Sequence, residues 1–218
     1  MSKRVLLIVA LGIALVHTPI WAQAGTIYES ATLGTIGHTG GSALEFGQFL
    51  GSRFTLSAVT DVTAIGGHML EKGGDGTLWG ALISMSGLLP SFAPQDIEAN
   101  ALGFAILSPT STSDEFIVPL IITLNPGDYA LVFGDNSLFG TTGTGQMPGP
   151  PLTGAVNFPA GVGSYFFGNA TASNSWTNPG PPGRFVVQGT VIPEPSTMLL
   201  LGSGLAGLGF FRQRKKVA

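Results

Sequence analysis

Two kinds of pattern alternate along this chain. Its two ends carry unbroken apolar runs, whereas the middle is a succession of short apolar segments set between turn residues. Segments of this kind, partly alternating apolar with polar, read as strands. The pattern predicts strands over 26–33, 48–56, 61–70, 77–86, 101–107, 115–124, from Tyr129 to Phe133, and over 163–168 and 184–191. Segments 61–70 and 77–86 flank Glu71-Lys72-Gly73-Gly74-Asp75-Gly76 and predict a hairpin. Gly51 is the expected site of a bulge, and Gly66-Gly67 interrupts the alternation of its segment. Between strands, 88–100 predicts a proline-bearing loop with one helical turn at 94–98. Segments 140–154 and 174–182 predict long surface loops, the second carrying Trp176. Pro126-Gly127 fits the centre of a type II turn, with Tyr129 placed to tie that corner down through its hydroxyl. Long amphipathic helical patterns are missing. The expected fold is therefore all-β: a single antiparallel β-sandwich, jelly-roll-like, in one domain over 25–192.

The ends obey different rules. Residues 1–24 read as a secretory signal peptide. Lys3 and Arg4 precede the apolar run 5–16, Pro19 breaks it, and Ala22-Gln23-Ala24 supplies the small residues, Ala22 and Ala24, of a cleavage site. The other end, 193–218, has three parts. Pro193-Glu194-Pro195 cannot continue a helix. An uncharged run follows through Met198, Leu199, Leu200, Leu201, Leu205, Leu208, Phe210 and Phe211, and Arg212, Arg214, Lys215 and Lys216 close it. An apolar helix ending in cations reads as a membrane segment whose basic flank stays in the cytoplasm. At ~1.5 Å per residue the run spans about 21 Å of a ~30 Å hydrocarbon layer, a mismatch that flanking arginines and lysines cover by snorkelling.

The order Pro-Glu-Pro, Ser196-Thr197, Leu/Gly-rich run and Arg/Lys end resembles the PEP-CTERM sorting signal of Gram-negative bacteria. That resemblance implies export by the Sec machinery, transient retention in the inner membrane, and processing near the triplet by exosortase. It also implies a final place at the cell surface or in the extracellular matrix of bacteria that make exopolysaccharide and biofilm. The middle of the chain, through F-T-L-S-A-V-T-D-V-T-A-I-G-G and L-N-P-G-D-Y-A-L-V-F-G, resembles domains often found in proteins with such tails. No activity transfers with that likeness.

Charge changes the picture once the ends are set aside. Six of the nine basic residues lie in the two end segments; residues 25–192 keep Arg53, Lys72 and Arg184 against eleven carboxylates. Nucleic-acid binding needs a basic patch, and this domain has none. With no cysteine, stability must come from the apolar core, and thiol catalysis and zinc-thiolate sites are excluded.

Candidate chemistry is sparse. His38 and His68 lack any H-x-H or H-x-x-x-H spacing, and no G-x-S-x-G elbow occurs within 25–192. Carboxylates neighbour one another at Asp96/Glu98, Asp114/Glu115 and Glu71/Asp75, as loop carboxylates in water commonly do. The expectation is a non-catalytic protein with no cofactor and no metal site, calcium being the alternative because loop Asp and Asn side chains and carbonyls are its natural ligands. The expected function is that of an exported surface or matrix protein. An alternative is a carbohydrate-binding module, calcium-assisted or not, stacking sugars on Trp176 and Tyr165. A secreted hydrolase using a carboxylate pair is the third reading.

Overall fold

The computed structural model describes residues 25–33, 36–37, 40–73, 76–135, 138–149, 156–157, 164–193 and 202–204. The strands are β1 (Gly25–Glu29), β2 (Thr32–Leu33), β3 (Ser42–Leu44), β4 (Gln48–Leu56), β5 (Thr60–Glu71), β6 (Leu78–Ser84) and β7 (Ala101–Leu107). They continue as β8 (Asp114–Leu124), β9 (Gly127–Gly134), β10 (Gly145–Met147), β11 (Val156–Asn157), β12 (Ser164–Asn169), β13 (Ser175–Thr177) and β14 (Phe185–Val191). The fold is all-β and antiparallel.

The first sheet is built on β5. Its residues Thr60–Met69 pair with β8, and Thr60–Gly67 pair with β14, so the two neighbours lie on opposite edges. Strand β1 pairs outside β14, and where β14 stops the short β10 takes over at Leu70–Glu71, with β3 beyond it. The second sheet runs β13-β12-β4-β9-β6-β7. Strands β2 and β11 form a separate pair.

Burial explains why these segments take these places. One apolar cluster draws on both sheets: Val62, Ile65 and Met69 of β5 and Phe185 and Val187 of β14 share it with Leu50, Phe54, Leu131, Phe133, Leu78 and Leu82. A second cluster lies on the opposite face of β4, β9 and β6. There Phe49, Trp79, Ala81, Ile83, Ala130, Val132 and Phe166 are covered by Ile97, Phe92 and Leu138. The inner strands of this sheet are thus buried on both faces, which is why β6 reads Leu-Trp-Gly-Ala-Leu-Ile without alternation.

Several expectations hold in detail. Strands β4 and β7 have the expected bounds, and a 3₁₀ turn at Pro94–Asp96 continues into a helical turn at Ile97–Asn100. The Tyr129 hydroxyl donates to the Asn125 carbonyl at 2.8 Å, closing the corner before β9.

Others are corrected. Strands β5 and β6 form no hairpin: β5 belongs to the first sheet, while β6 pairs with β7 and β9. Their connection bonds instead to a loop distant in sequence, Lys72 N donating to the Thr144 carbonyl and Gly143 N to the Thr77 carbonyl, both at 2.9 Å. That contact also turns part of the expected 140–154 loop into strand β10. Gly51 is no bulge; it pairs in register on both edges, and the room its missing Cβ leaves is filled by the Phe166 ring. Gly127 has no left-handed φ, so the expected type II turn is not formed; Gly127 opens β9 opposite Leu56. The strand expected over 26–33 breaks at Ser30, which turns inward to a buried bond. Trp176 lies in β13, although 174–182 was expected to be loop.

By its internal contacts the chain divides into Ala24–Val191 and a unit of both termini, Met1–Gln23 with Ile192–Ala218. Of the expected membrane run, Gly202–Gly204 are helical and the rest lies outside the described residues, as do His38, Ala22, Ala24, Glu194, Pro195 and the basic end. Among the described residues no helix is long and apolar enough to cross a membrane.

Candidate functional site

The part of the molecule with an assignable role is the last strand and the segment it delivers. β14 starts at a buried polar anchor. Arg184, one of three cations in the acidic domain, is nearly buried and cannot be left alone there. Its Nε donates to Glu115 Oε1 at 2.5 Å and its Nη1 to Glu29 Oε2 at 2.9 Å; Nη1 also closely approaches the Ala31 carbonyl. Ser30 completes the anchor. Its Oγ donates to the Gly183 carbonyl at 2.7 Å and accepts from Phe185 N at 2.8 Å. The Tyr165 hydroxyl donates to the Ser30 carbonyl at 3.0 Å, and burial, reinforced by neighbouring Tyr28, pushes its pKa up to about 12. Burial raises the pKa of Tyr28 as well; its hydroxyl shares a 2.6 Å hydrogen bond with Ser52.

From that anchor β14 runs between β5 and β1 and ends at Val191, opposite Thr60. Ile192 and Pro193 follow as exposed, irregular chain. In the sequence, a single residue, Ile192, stands between the last paired residue, Val191, and Pro193 of the triplet. Pulling on the tail would load a strand hydrogen-bonded along both edges and tied at its far end by Arg184 and Ser30. Sequence reading missed this anchor. The available signal was a lone arginine ahead of the apolar run Phe185-Val186-Val187, a position that demands carboxylate partners.

The expected sugar-stacking residues are placed apart. Trp176 stands opposite Gly168, packs against Phe49, Phe92 and Phe166, and donates its indole N–H to the Phe92 carbonyl at 2.6 Å. Tyr165 lies on the other face of β12, against the cluster shared by both sheets. The two rings thus form no common platform, and the polar atom of each is already bonded within the domain. Trp79 is fully buried, its indole donating to the Asp135 carbonyl at 2.7 Å.

The neighbouring carboxylates also have local work. Glu115 holds Arg184, and Asp114 Oδ1 accepts from Glu115 N at 2.7 Å. Glu98 Oε1 accepts from Phe139 N at 2.7 Å, and Glu71 Oε1 from Gly73 N at 2.6 Å. His68 is buried in β5, in register with Glu115. Among the described residues no three His, Asp or Glu side chains converge as a metal site would need.

No curated protein matches the chain. Residues 191–215 match the family model of the PEP-CTERM protein-sorting motif, a match that starts on the last residue of β14 and takes in the triplet, the apolar run and three of the four terminal cations. The chain therefore carries a PEP-CTERM sorting domain, which implies export, a membrane-anchoring signal and processing by exosortase.

Proposed function

We propose that the chain is an exported, non-catalytic protein of the cell surface or extracellular matrix, associated with exopolysaccharide and biofilm. A signal peptide over 1–24 sends it through the Sec machinery. The apolar run 198–211 holds it transiently in the inner membrane, and exosortase then releases a jelly-roll-like β-sandwich of residues 25–192. The observation that carries this reading is the sorting motif over 191–215, joined to the last core strand without a linker. Its function is placement: the tail decides where the acidic domain ends up, and the domain's own carboxylates and aromatic rings serve its packing.

Intact-mass measurement of the protein recovered from its native host tests the reading, because it reports both cleavages at once. The expected product begins near Gly25 and ends near the Pro-Glu-Pro triplet. Recovery of the full-length chain from the cytosol would overturn it. A glycan array with the released domain tests the exopolysaccharide association: binding would identify the polysaccharide contact, and a flat array would leave the matrix role alone.

A further inference from the structure

The expected signal peptide and the sorting tail join the domain at one end of the same sheet. The strand that follows the signal peptide, β1, pairs with the strand that precedes the sorting tail, β14, and Gly25 stands opposite Gly189, two residues before Val191. Val191 pairs with Thr60, and Thr60 with Leu124. Residues 57–59 and 125–126 cross from there to Leu56 and Gly127 of the second sheet, and Met85 N bonds to the Asp128 carbonyl beside them. The connections 57–59, 85–89 and 125–126 and the two chain exits thus make up one end of the domain.

We infer that this end is a lipid-facing surface, held against the bilayer while the tail is attached. The inference rests on the reading of 198–211 as a membrane segment. Six residues separate Val191 from Met198, and seven extended steps reach about 25 Å at most. The domain therefore cannot stand off from the bilayer; one of its faces must lie near it. The end at the exits suits lipid. Leu88 is 63 % exposed there and Val191 52 %, beside Val59 and Pro126. Its two carboxylates are each held by a hydroxyl, Asp61 by Thr123 and Asp128 by Thr55, both at 2.6 Å, and Arg53 reaches the Gly87 carbonyl. The opposite end exposes Phe46 as well, but beside Glu45 and Asp114 at the surface and Glu71 and Asp135 beneath it; with Lys72 and the Arg184–Glu115 pair counted it stays net negative, which the negative surface of a bilayer repels. Charge and tether length select the same face. The twelve residues of β5 separate the two ends by about 36 Å, so a lipid-borne probe tells them apart.

The absence of cysteine makes the test clean. Single variants Leu88→Cys, Ser57→Cys, Lys72→Cys and Leu200→Cys of the full chain are labelled with an environment-sensitive fluorophore. Each is then inserted into phosphatidylethanolamine–phosphatidylglycerol vesicles that carry a nitroxide on the lipid headgroup. The expected result is strong loss of fluorescence at positions 88, 57 and 200 and none at position 72. Equal loss at 88 and 72, with 200 quenched, overturns the lipid-facing end and leaves the membrane tail standing. An unquenched label at 200 overturns the tail reading, and this inference falls with it.

Discussion

Arg184 donates its Nε to the Glu115 carboxylate 2.5 Å away and so ties the entry to β14 to the start of β8. The Arg184 side chain is 7 % exposed, that of Glu115 23 % and that of Glu29 43 %. Burial is therefore uneven: losing the cation leaves carboxylates that water reaches, whereas losing Glu115 leaves a buried guanidinium with Glu29, on the neighbouring strand β1, as its remaining carboxylate partner. Glu115→Ala is expected to cost about 3 kcal/mol. Arg184→Met, which keeps the volume, is expected to cost about 1 kcal/mol. Urea unfolding of the domain released from its tail measures both. A larger loss in Arg184→Met than in Glu115→Ala would refute this asymmetry.

Tyr165 predicts an alkaline limit to stability. Its phenol titrates near 10.0 when unfolded and at about 12 in the fold, chiefly because burial disfavours the phenolate. Between those values the folded state holds a proton that the unfolded chain has lost, so stability falls as pH rises. Below pH 10 the contribution is fully present. Urea midpoints should decline from about pH 10 toward about 12, and Tyr165→Phe should make that decline shallower. Tyr28, also raised, keeps part of the slope. An unchanged slope in the variant would show that Tyr165 ionises as freely folded as unfolded.

Glycines within the second sheet seat aromatic rings. A Cβ at Gly134 would strike the Trp79 and Phe49 rings, which sit edge to face with centroids 4.9 Å apart. Gly134→Ala is expected to destabilise by about 3 kcal/mol through overpacking. Gly87→Ala, where a Cβ meets nothing within 4 Å, should stay within about 0.5 kcal/mol of the parent. Denaturant midpoints compare them, and the near-ultraviolet circular dichroism of Trp79 should change only in Gly134→Ala. Equal midpoints would mean that the rings move aside freely.

Strand positions were legible wherever a segment had one wet face or a firm boundary. β7 alternates in size, the half-buried Ala101, Gly103 and Ala105 against the exposed Leu102, Phe104 and Ile106, and the Tyr129 corner announced itself through the spacing of Asn125, Pro126 and Tyr129. Pairing was less legible. Trp79 and Leu82 face opposite clusters, so β6 carries no period to say which edge meets which neighbour, and the adjacent turn suggested β5. The true partner of that turn, Gly143-Thr144, lies more than sixty residues on in a stretch rich in glycine, and nothing local announces so distant a bond. Trp176 misled for a related reason: its polar neighbours read as loop, while its ring is claimed by Phe49 and Phe166 from strands far away in sequence. The sorting motif over 191–215 was legible, because proline, an unbroken apolar run and a cluster of cations form a local pattern that needs no fold. The anchor that braces β14 was hidden, since Glu29, Glu115 and Arg184 meet only once the sheet is assembled.

The terminal cations yield a prediction independent of the fold. Arg212, Arg214, Lys215 and Lys216 end the apolar run, and on the proposed membrane reading they would hold its flank on the cytoplasmic side. At roughly 1 kcal/mol per cation near an anionic leaflet, replacing all four with alanine removes about 4 kcal/mol of retention. The expected outcome is a chain that passes outward with its tail uncleaved, seen as full-tail mass in the exported fraction and loss of the membrane-bound form. Lys72→Ala, at an exposed position inside the domain, serves as the charge control and should leave processing unchanged. Normal processing of the fourfold variant would show that the apolar run and the Pro-Glu-Pro triplet suffice, and that the basic end does not act as a stop.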